Sequence, residues 1–130
     1  MKIVFLLLTL LAGTGLNLFA ADGSDPKPGG KVFHVVSFKF KDSATPAQIQ
    51  QVEGAFRDLK KTIKQIQSYE WGTNISPEKL NKGFTHGFVL TFKDEQARDA
   101  YLVHPDHKAF GALLGPILAD VFVIDFRAAK

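Results

Sequence analysis

Hydrophobic and polar residues alternate from Val32 to Lys41, with His34, Val36, Phe38 and Phe40 on one side. Aromatic and β-branched residues at a period of two predict a strand. Residues 66–74 and 85–93 alternate in the same way and predict two further strands. A mostly apolar run at 118–128 predicts the fourth.

Between these strands, the apolar residues follow a helical period. They recur every three or four positions from 49 to 64, which predicts an amphipathic helix. Thr45 is its predicted N-cap, Pro46 occupies the first helical position, and Gln48 completes a capping box. A second helix is predicted from its cap Asp94 to Leu114, where Gly115-Pro116 follows.

The order β-α-β-β-α-β predicts an α+β, ferredoxin-like domain. In this fold, a four-stranded antiparallel sheet carries both helices on one face. The other face is also apolar here, and such a surface is larger than soluble monomers usually expose. A second copy packed sheet against sheet would cover it, so we expect a two-fold homodimer. Residues predicted on this second face are Phe33, Val35, Phe122, Ile124 and Phe126.

The segment from Tyr101 to Phe110 carries the candidate chemistry. In an unbroken helix, the six residues from Tyr101 to His107 turn the side chain by about 240° around the axis, so the two would point about 120° apart. Pro105 removes a backbone donor and biases His104 away from helical geometry, so we expect a break at this point. The break can bring the phenol and the imidazole to one cavity, where they are a workable donor and general base near neutral pH.

The N-terminal residues have the pattern of a signal peptide. Lys2 precedes a short apolar run, which is well below the ~20 residues of a membrane span. Residues 1–20 are the predicted signal peptide, with cleavage after Ala20 or after Ala21. Residues 21–31 are a Pro- and Gly-rich linker, and 32–128 form the domain. We therefore expect a secreted or periplasmic protein.

Composition excludes several classes of function. The chain has no cysteine, which excludes disulfides and thiol catalysis. Its formal net charge is +3, or +2 without Lys2, and the charges are interspersed, so we expect no nucleic-acid partner. After cleavage we expect no membrane contact. The sequence has no phosphate-binding loop or other cofactor motif, so no cofactor is expected.

Four stretches together resemble the stress-responsive dimeric α+β barrel (Dabb) family. They are the strand opening at His34, the Gly83-Phe84-Thr85-His86 segment, the stretch from Tyr101 to His107, and the strand 121–126. The resemblance covers residues 32–128 and implies a homodimer whose sheets form a shared barrel. It does not imply one activity, because most members have no assigned reaction.

One branch of the family is a cyclase, and similarity to it implies roles for individual residues. His107 would be the base that removes a proton next to a carbonyl, and Tyr101 would donate a hydrogen bond to the carbonyl oxygen. His34 and His86 would border the ligand cleft. Positions that carry aromatic residues in the cyclase are Glu53, Phe56 and Leu118 here, so these also count as candidate ligand-binding residues.

Three classes of function remain open on the sequence alone. The first is a binding protein that holds a small, mostly apolar molecule between helices and sheet, and the second is a cyclase- or lyase-type enzyme. The third is a purely structural oligomer, in which Tyr101 and His107 only pack and hydrogen-bond where the helix restarts. A metal site at His104 and His107 has helical spacing, but Pro105 disturbs it and no third ligand is evident.

Overall fold

A computed structural model describes residues 30–129 of the 130-residue chain. The predicted signal peptide and nearly all of the predicted linker lie outside the described residues. The elements, in chain order, are β1 (Val32–Phe40), α1 (Pro46–Thr62), β2 (Ser68–Thr73), β3 (His86–Phe92), α2 (Glu95–Leu102), α3 (Pro105–Leu114) and β4 (Leu118–Arg127). No helix within 30–129 is long and apolar enough to cross a membrane.

The strands form one antiparallel sheet in the order β2-β3-β1-β4. The register places Val36 of β1 opposite Phe88 on one side and opposite Val123 on the other. Residues opposite one another in a sheet point to the same face, so side chains can be followed across the strands. We call the face that carries Val36 and Phe88 the helix side, and its opposite the open face.

Four phenylalanine rings fill the centre of the helix side. The ring of Phe88 lies 4.8 Å from Phe38 and 4.6 Å from Phe56, which in turn lies 4.5 Å from Phe110. These rings join β1 and β3 to α1 and α3. Aromatic side chains bury large apolar areas, so this cluster contributes strongly to holding the helices on the sheet.

The predicted start of α1 is confirmed in detail. Thr45 is the N-cap, and Pro46 is the first helical residue. The backbone N–H of Gln48 donates to the Thr45 hydroxyl at 3.2 Å, and the Thr45 N–H donates to the Gln48 side chain at 2.9 Å. This capping box satisfies two donors that a helix end leaves unpaired.

The predicted break in the second helical segment is also present. α2 ends at Leu102, and α3 begins at Pro105 with His104 as its N-cap. The Nδ1 atom of His104 accepts a hydrogen bond from the Asp106 N–H at 3.1 Å. His104 therefore caps the start of α3. The expected stop at Gly115 is only partial, because residues 115–117 continue in one 3-10 turn.

The open face is apolar and exposed, as predicted. Phe122, Ile124 and Phe126 of β4 are each about half exposed. The ring of Phe126 stacks on Phe33 of β1 at 5.2 Å, which extends the apolar surface across the strand pair. Nothing in residues 30–129 covers this surface. The fold is thus the expected one, with helices on one face only.

Candidate functional site

The break between α2 and α3 brings Tyr101 and His107 into contact. Their ring centroids are 4.3 Å apart, and the Tyr101 ring also packs edge-on against His34 at 5.6 Å. Tyr101 is 1% exposed. Its hydroxyl makes no hydrogen bond within the described part of the chain, whereas Nδ1 of His107 donates to the Leu102 carbonyl at 3.1 Å. That bond leaves Nε2 of a neutral His107 with a free lone pair.

Burial shifts the pKa values of His107 and Tyr101 in opposite directions, which suits one as a proton acceptor and the other as a hydrogen-bond donor. Loss of solvation lowers the pKa of His107 below its ordinary value, so the imidazole is neutral at pH 7 and can accept a proton. Loss of solvation also raises the pKa of Tyr101, so its phenol stays protonated and donates. Because the two rings are in contact, both groups can act on one substrate. The imidazole can accept a proton from a carbon next to a carbonyl, and the phenol can donate a hydrogen bond to the carbonyl oxygen.

A partly buried network of polar side chains holds His34 beside this pair. Nδ1 of His34 lies 2.6 Å from Oδ1 of Asp125, its register partner on β4, and a carboxylate can only accept. The other oxygen of Asp125 accepts from Arg98 of α2. Asp125 therefore fixes the His34 ring and directs its second nitrogen away from the carboxylate, as carboxylates do for catalytic and metal-bound histidines.

His86 and Glu53 form a separate polar group. Nε2 of His86 donates to the Glu53 carboxylate at 2.9 Å, and the Thr85 hydroxyl donates to its Nδ1 at 2.8 Å. The ring of Phe40 packs edge-on against His86 at 5.0 Å. Leu118 lies opposite Phe40 in the β1–β4 register and so belongs to the same end of the sheet.

The predicted site residues thus fall into two groups. His34 pairs with Leu90 in the register, and His86 lies four residues from Leu90 along β3, roughly 13 Å away. Phe56 belongs to the packed rings between the two groups and is almost fully buried. The structure brings Tyr101, His107 and His34 together, and it places His86, Glu53 and Leu118 at the other end.

A strip of residues on β4 runs along the sheet from the row of His86 to the row of His34. Val121 and Val123 pair with the buried residues Phe38 and Val36, so they face the helix side. They are nevertheless 44% and 47% exposed, because the helices do not cover the edge strand. Asp125 continues the strip to the polar group at His34. We call these three residues the β4 strip.

Sequence reasoning missed two members of the site. In the sequence, Asp125 is only the one charged residue within the apolar run 121–126. Its partner His34 lies on another strand, so the sequence of β4 alone does not predict the pair. Arg98 is one of several charged residues on α2 and carries no signal of its own. Tyr69 lies within the predicted strand 66–74. Its hydroxyl is buried without a hydrogen-bond partner in the described residues, and burial raises its pKa.

The metal alternative receives no support from the geometry. Within residues 30–129, no three histidine, aspartate or glutamate side chains come together as a metal site would require. The Nδ1 atom of His104 is already engaged as the helix cap of α3.

These features define a ferredoxin-like α+β domain with an open apolar sheet face and a polar group under its broken helix. A family model for the Stress responsive A/B Barrel Domain matches residues 32–128. The chain belongs to this family.

Known proteins agree with this assignment. The Stress-response A/B barrel domain-containing protein HS1 of Arabidopsis thaliana is 34% identical over 98 residues, covering 75% of this chain and 90% of that protein. Olivetolic acid cyclase of Cannabis sativa is 26% identical over 99 residues, covering 76% and 98%. A solved dimeric ferredoxin-like protein of unknown function from Thermobifida fusca YX superimposes with a TM-score of 0.68, at 30% identity, over 77% of this chain and 92% of that one.

The lowered pKa of His107 predicts a specific pH dependence of stability. Between its ordinary pKa of about 6.5 and its lower pKa in the folded chain, the unfolded chain binds this proton more than the folded chain does, so the free energy of unfolding falls as the pH falls. The His107→Asn variant lacks this group, and its amide can still donate to Leu102. Between about pH 7 and about pH 5, we expect the melting temperature of the wild type to fall more than that of His107→Asn. Parallel pH profiles for the two proteins would contradict the lowered pKa.

Proposed function

We propose that this protein is an exported homodimer that binds a small, mostly apolar molecule on the helix side of its sheet. The observation that carries the proposal is the β4 strip, where Val121 and Val123 face the helices but stay half exposed. Apolar surface that leads to a few convergent polar groups is the usual form of a small-molecule site. The polar end consists of His34, Tyr101 and His107.

Dimerisation follows from the open face. Phe122, Ile124 and Phe126 expose a continuous apolar surface that a second copy can bury. The relative from Thermobifida fusca is described as dimeric, and this supports the same assembly here. Burial of half-exposed side chains on both copies favours the dimer strongly, since each chain contributes the same patch.

Two adjacent residues of β4 provide a matched test of both proposals. Val123 and Ile124 are equally exposed but face opposite sides of the sheet. We expect Val123→Asn to weaken binding of the probe propylbenzene about fivefold and to keep the dimer. We expect Ile124→Asn to raise the dimer dissociation constant at least about 30-fold, because both copies lose an apolar contact, and to leave probe binding unchanged.

Probe titration by NMR and sedimentation equilibrium of the same samples measure the two effects. If wild-type protein binds no propylbenzene, the apolar site is wrong. If Ile124→Asn stays fully dimeric at micromolar concentration, the proposed interface is wrong.

The second candidate function is an enzyme of the cyclase or lyase type. The contact between a neutral His107 and a protonated Tyr101 favours it, as does the similarity to olivetolic acid cyclase. Nε2 of His107 would take a proton from a carbon next to a carbonyl. The electron pair would move to the carbonyl oxygen, where the Tyr101 hydroxyl donates a hydrogen bond. Asp125 would act through His34 as a positioning residue.

Deuterium exchange tests this alternative without knowledge of the substrate. Propiophenone in D2O should exchange the protons next to its carbonyl faster in the presence of the protein. We expect His107→Asn to lower the catalysed rate about 100-fold or more, the usual scale for a lost general base. Tyr101→Phe should lower it while costing no more than ~1–2 kcal/mol of stability. If propiophenone exchanges its protons no faster with the protein than without it, the proposal of a cyclase- or lyase-type enzyme is contradicted.

Export is proposed from the first 20 residues. Their charge and apolar run have the form of a cleaved signal, so the mature chain should begin at Ala21 or Asp22. N-terminal sequencing of protein from the natural host measures this start directly. A soluble cytoplasmic product that retains Met1 would contradict export.

A further inference from the structure

Among the three helices of the described chain, α2 packs least tightly on the sheet. α1 buries three of its residues and α3 buries two. α2 buries Tyr101 alone. Buried apolar area is the main contribution that holds a helix on a sheet. α2 is therefore the helix that can move away from the sheet at the lowest cost in free energy.

The two ends of α2 are points at which the chain can bend. Asp94 precedes the helix in an extended conformation. After the helix, Pro105 lacks a backbone donor, so the helical hydrogen bonds do not continue from α2 into α3. Leu102 and Val103 at this junction are 40% and 65% exposed, and the core does not fix them. Hinges are usually a few residues of this kind at the ends of an element.

Two ion pairs tie α2 to the edge strand β4. Arg98 donates to Asp125, and Arg127 donates to Glu95 at 2.9 Å. Asp125 and Arg127 lie on the helix side of β4, directly after Val123 on that face. The side chains of Arg98 and Asp125 are about one-fifth exposed, whereas Glu95 is 56% exposed, so the first pair is the better shielded from water. We call the two pairs the latch.

With the latch formed, α2 closes the polar end of the proposed site. Tyr101 is 1% exposed, although it is the residue that would donate a hydrogen bond to a bound molecule. Its ring contacts His34, Phe92 and His107 at centroid distances of 5.6, 5.0 and 4.3 Å. A molecule from solvent has almost no access to this phenol unless a neighbouring element moves, and α2 carries Tyr101 itself.

We propose that α2 is a lid over Tyr101, His107 and His34, and that it opens when the latch breaks. Opening turns the helix outward about its two ends, carries Tyr101 away from His34 and extends the exposed surface of the β4 strip as far as Asp125. Closure returns the phenol to the bound molecule and excludes water. The role of the lid in ligand entry rests on the proposed function, whereas the opening itself is a property of the ligand-free protein.

Hydrogen exchange of the purified, ligand-free protein tests the opening. We expect the amides of residues 98–102 to exchange at least about tenfold faster than those of residues 52–59 in α1. A local opening exposes little surface, so this exchange should hardly respond to low concentrations of urea. If α2 exchanges only through global unfolding, with the same urea dependence as α1, the lid is wrong.

Variants of the latch should speed this local exchange without urea. We expect about tenfold for Arg98→Gln, the scale of a partly buried hydrogen bond between charged groups. Glu95→Gln breaks the more exposed pair and lies outside the site, so we expect about threefold. Asp99→Asn is the matched control, because it removes a carboxylate that pairs with Arg98 on the same helix. It should stay within about twofold. No rise in Arg98→Gln, or equal rises in all three variants, would overturn the latch.

The kinetics of propylbenzene binding, measured by NMR line shapes, connect the lid to the site. If the lid controls entry, Arg98→Gln should raise the association and dissociation rate constants by the same factor as the α2 exchange rates. The Kd should stay within about twofold, because the closed state still predominates. A weaker affinity at an unchanged association rate would mean that Arg98 only shapes the site, and would overturn the role in entry. If wild-type protein binds no propylbenzene, the apolar site is wrong, while hydrogen exchange still decides whether α2 opens.

Discussion

The packing of aromatic rings between sheet and helices is the contact on which the rest of the structure depends. Phe38 and Phe88 project from the two central strands, and Phe56 and Phe110 meet them from α1 and α3. This cluster centres the helices over β1 and β3. The edge strand β4 is therefore left uncovered on the helix side as well as on the open face, although its sequence is as apolar as that of a buried strand. The proposed ligand surface of β4 follows from this position of the helices.

The polar groups lie around this cluster and not within it. Asp125 holds His34 at one end, and Glu53 holds His86 at the other, each through a direct hydrogen bond. A buried polar group is costly unless it is paired, so each histidine is placed together with its carboxylate. The unpaired Tyr69 hydroxyl is an exception in the described residues, and it lies in the same cross-strand row as His34.

Local signals in the sequence were sufficient to predict the helices and strands and the sheet face on which each strand residue lies. The period of two assigned His34 and Phe38 to the buried side, the Thr45–Gln48 spacing located the start of α1, and Pro105 located the helix break. The division of the candidate residues into two groups was not accessible, because it depends on the register between β1 and β3. Such features depend on long-range pairing, which no single segment encodes.

Residues 123 and 124 show what the alternation along β4 means for the evolution of the family. The two side chains lie on opposite faces, one on the proposed ligand surface and the other on the proposed subunit contact, so inserting or deleting a single residue here would exchange both surfaces at once. The irregularity in the β1–β4 pairing falls between Lys39 and Phe40, beyond these rows, and leaves them in register. Length changes should therefore accumulate in the loop between β2 and β3, where related proteins can diversify while this strand keeps its length.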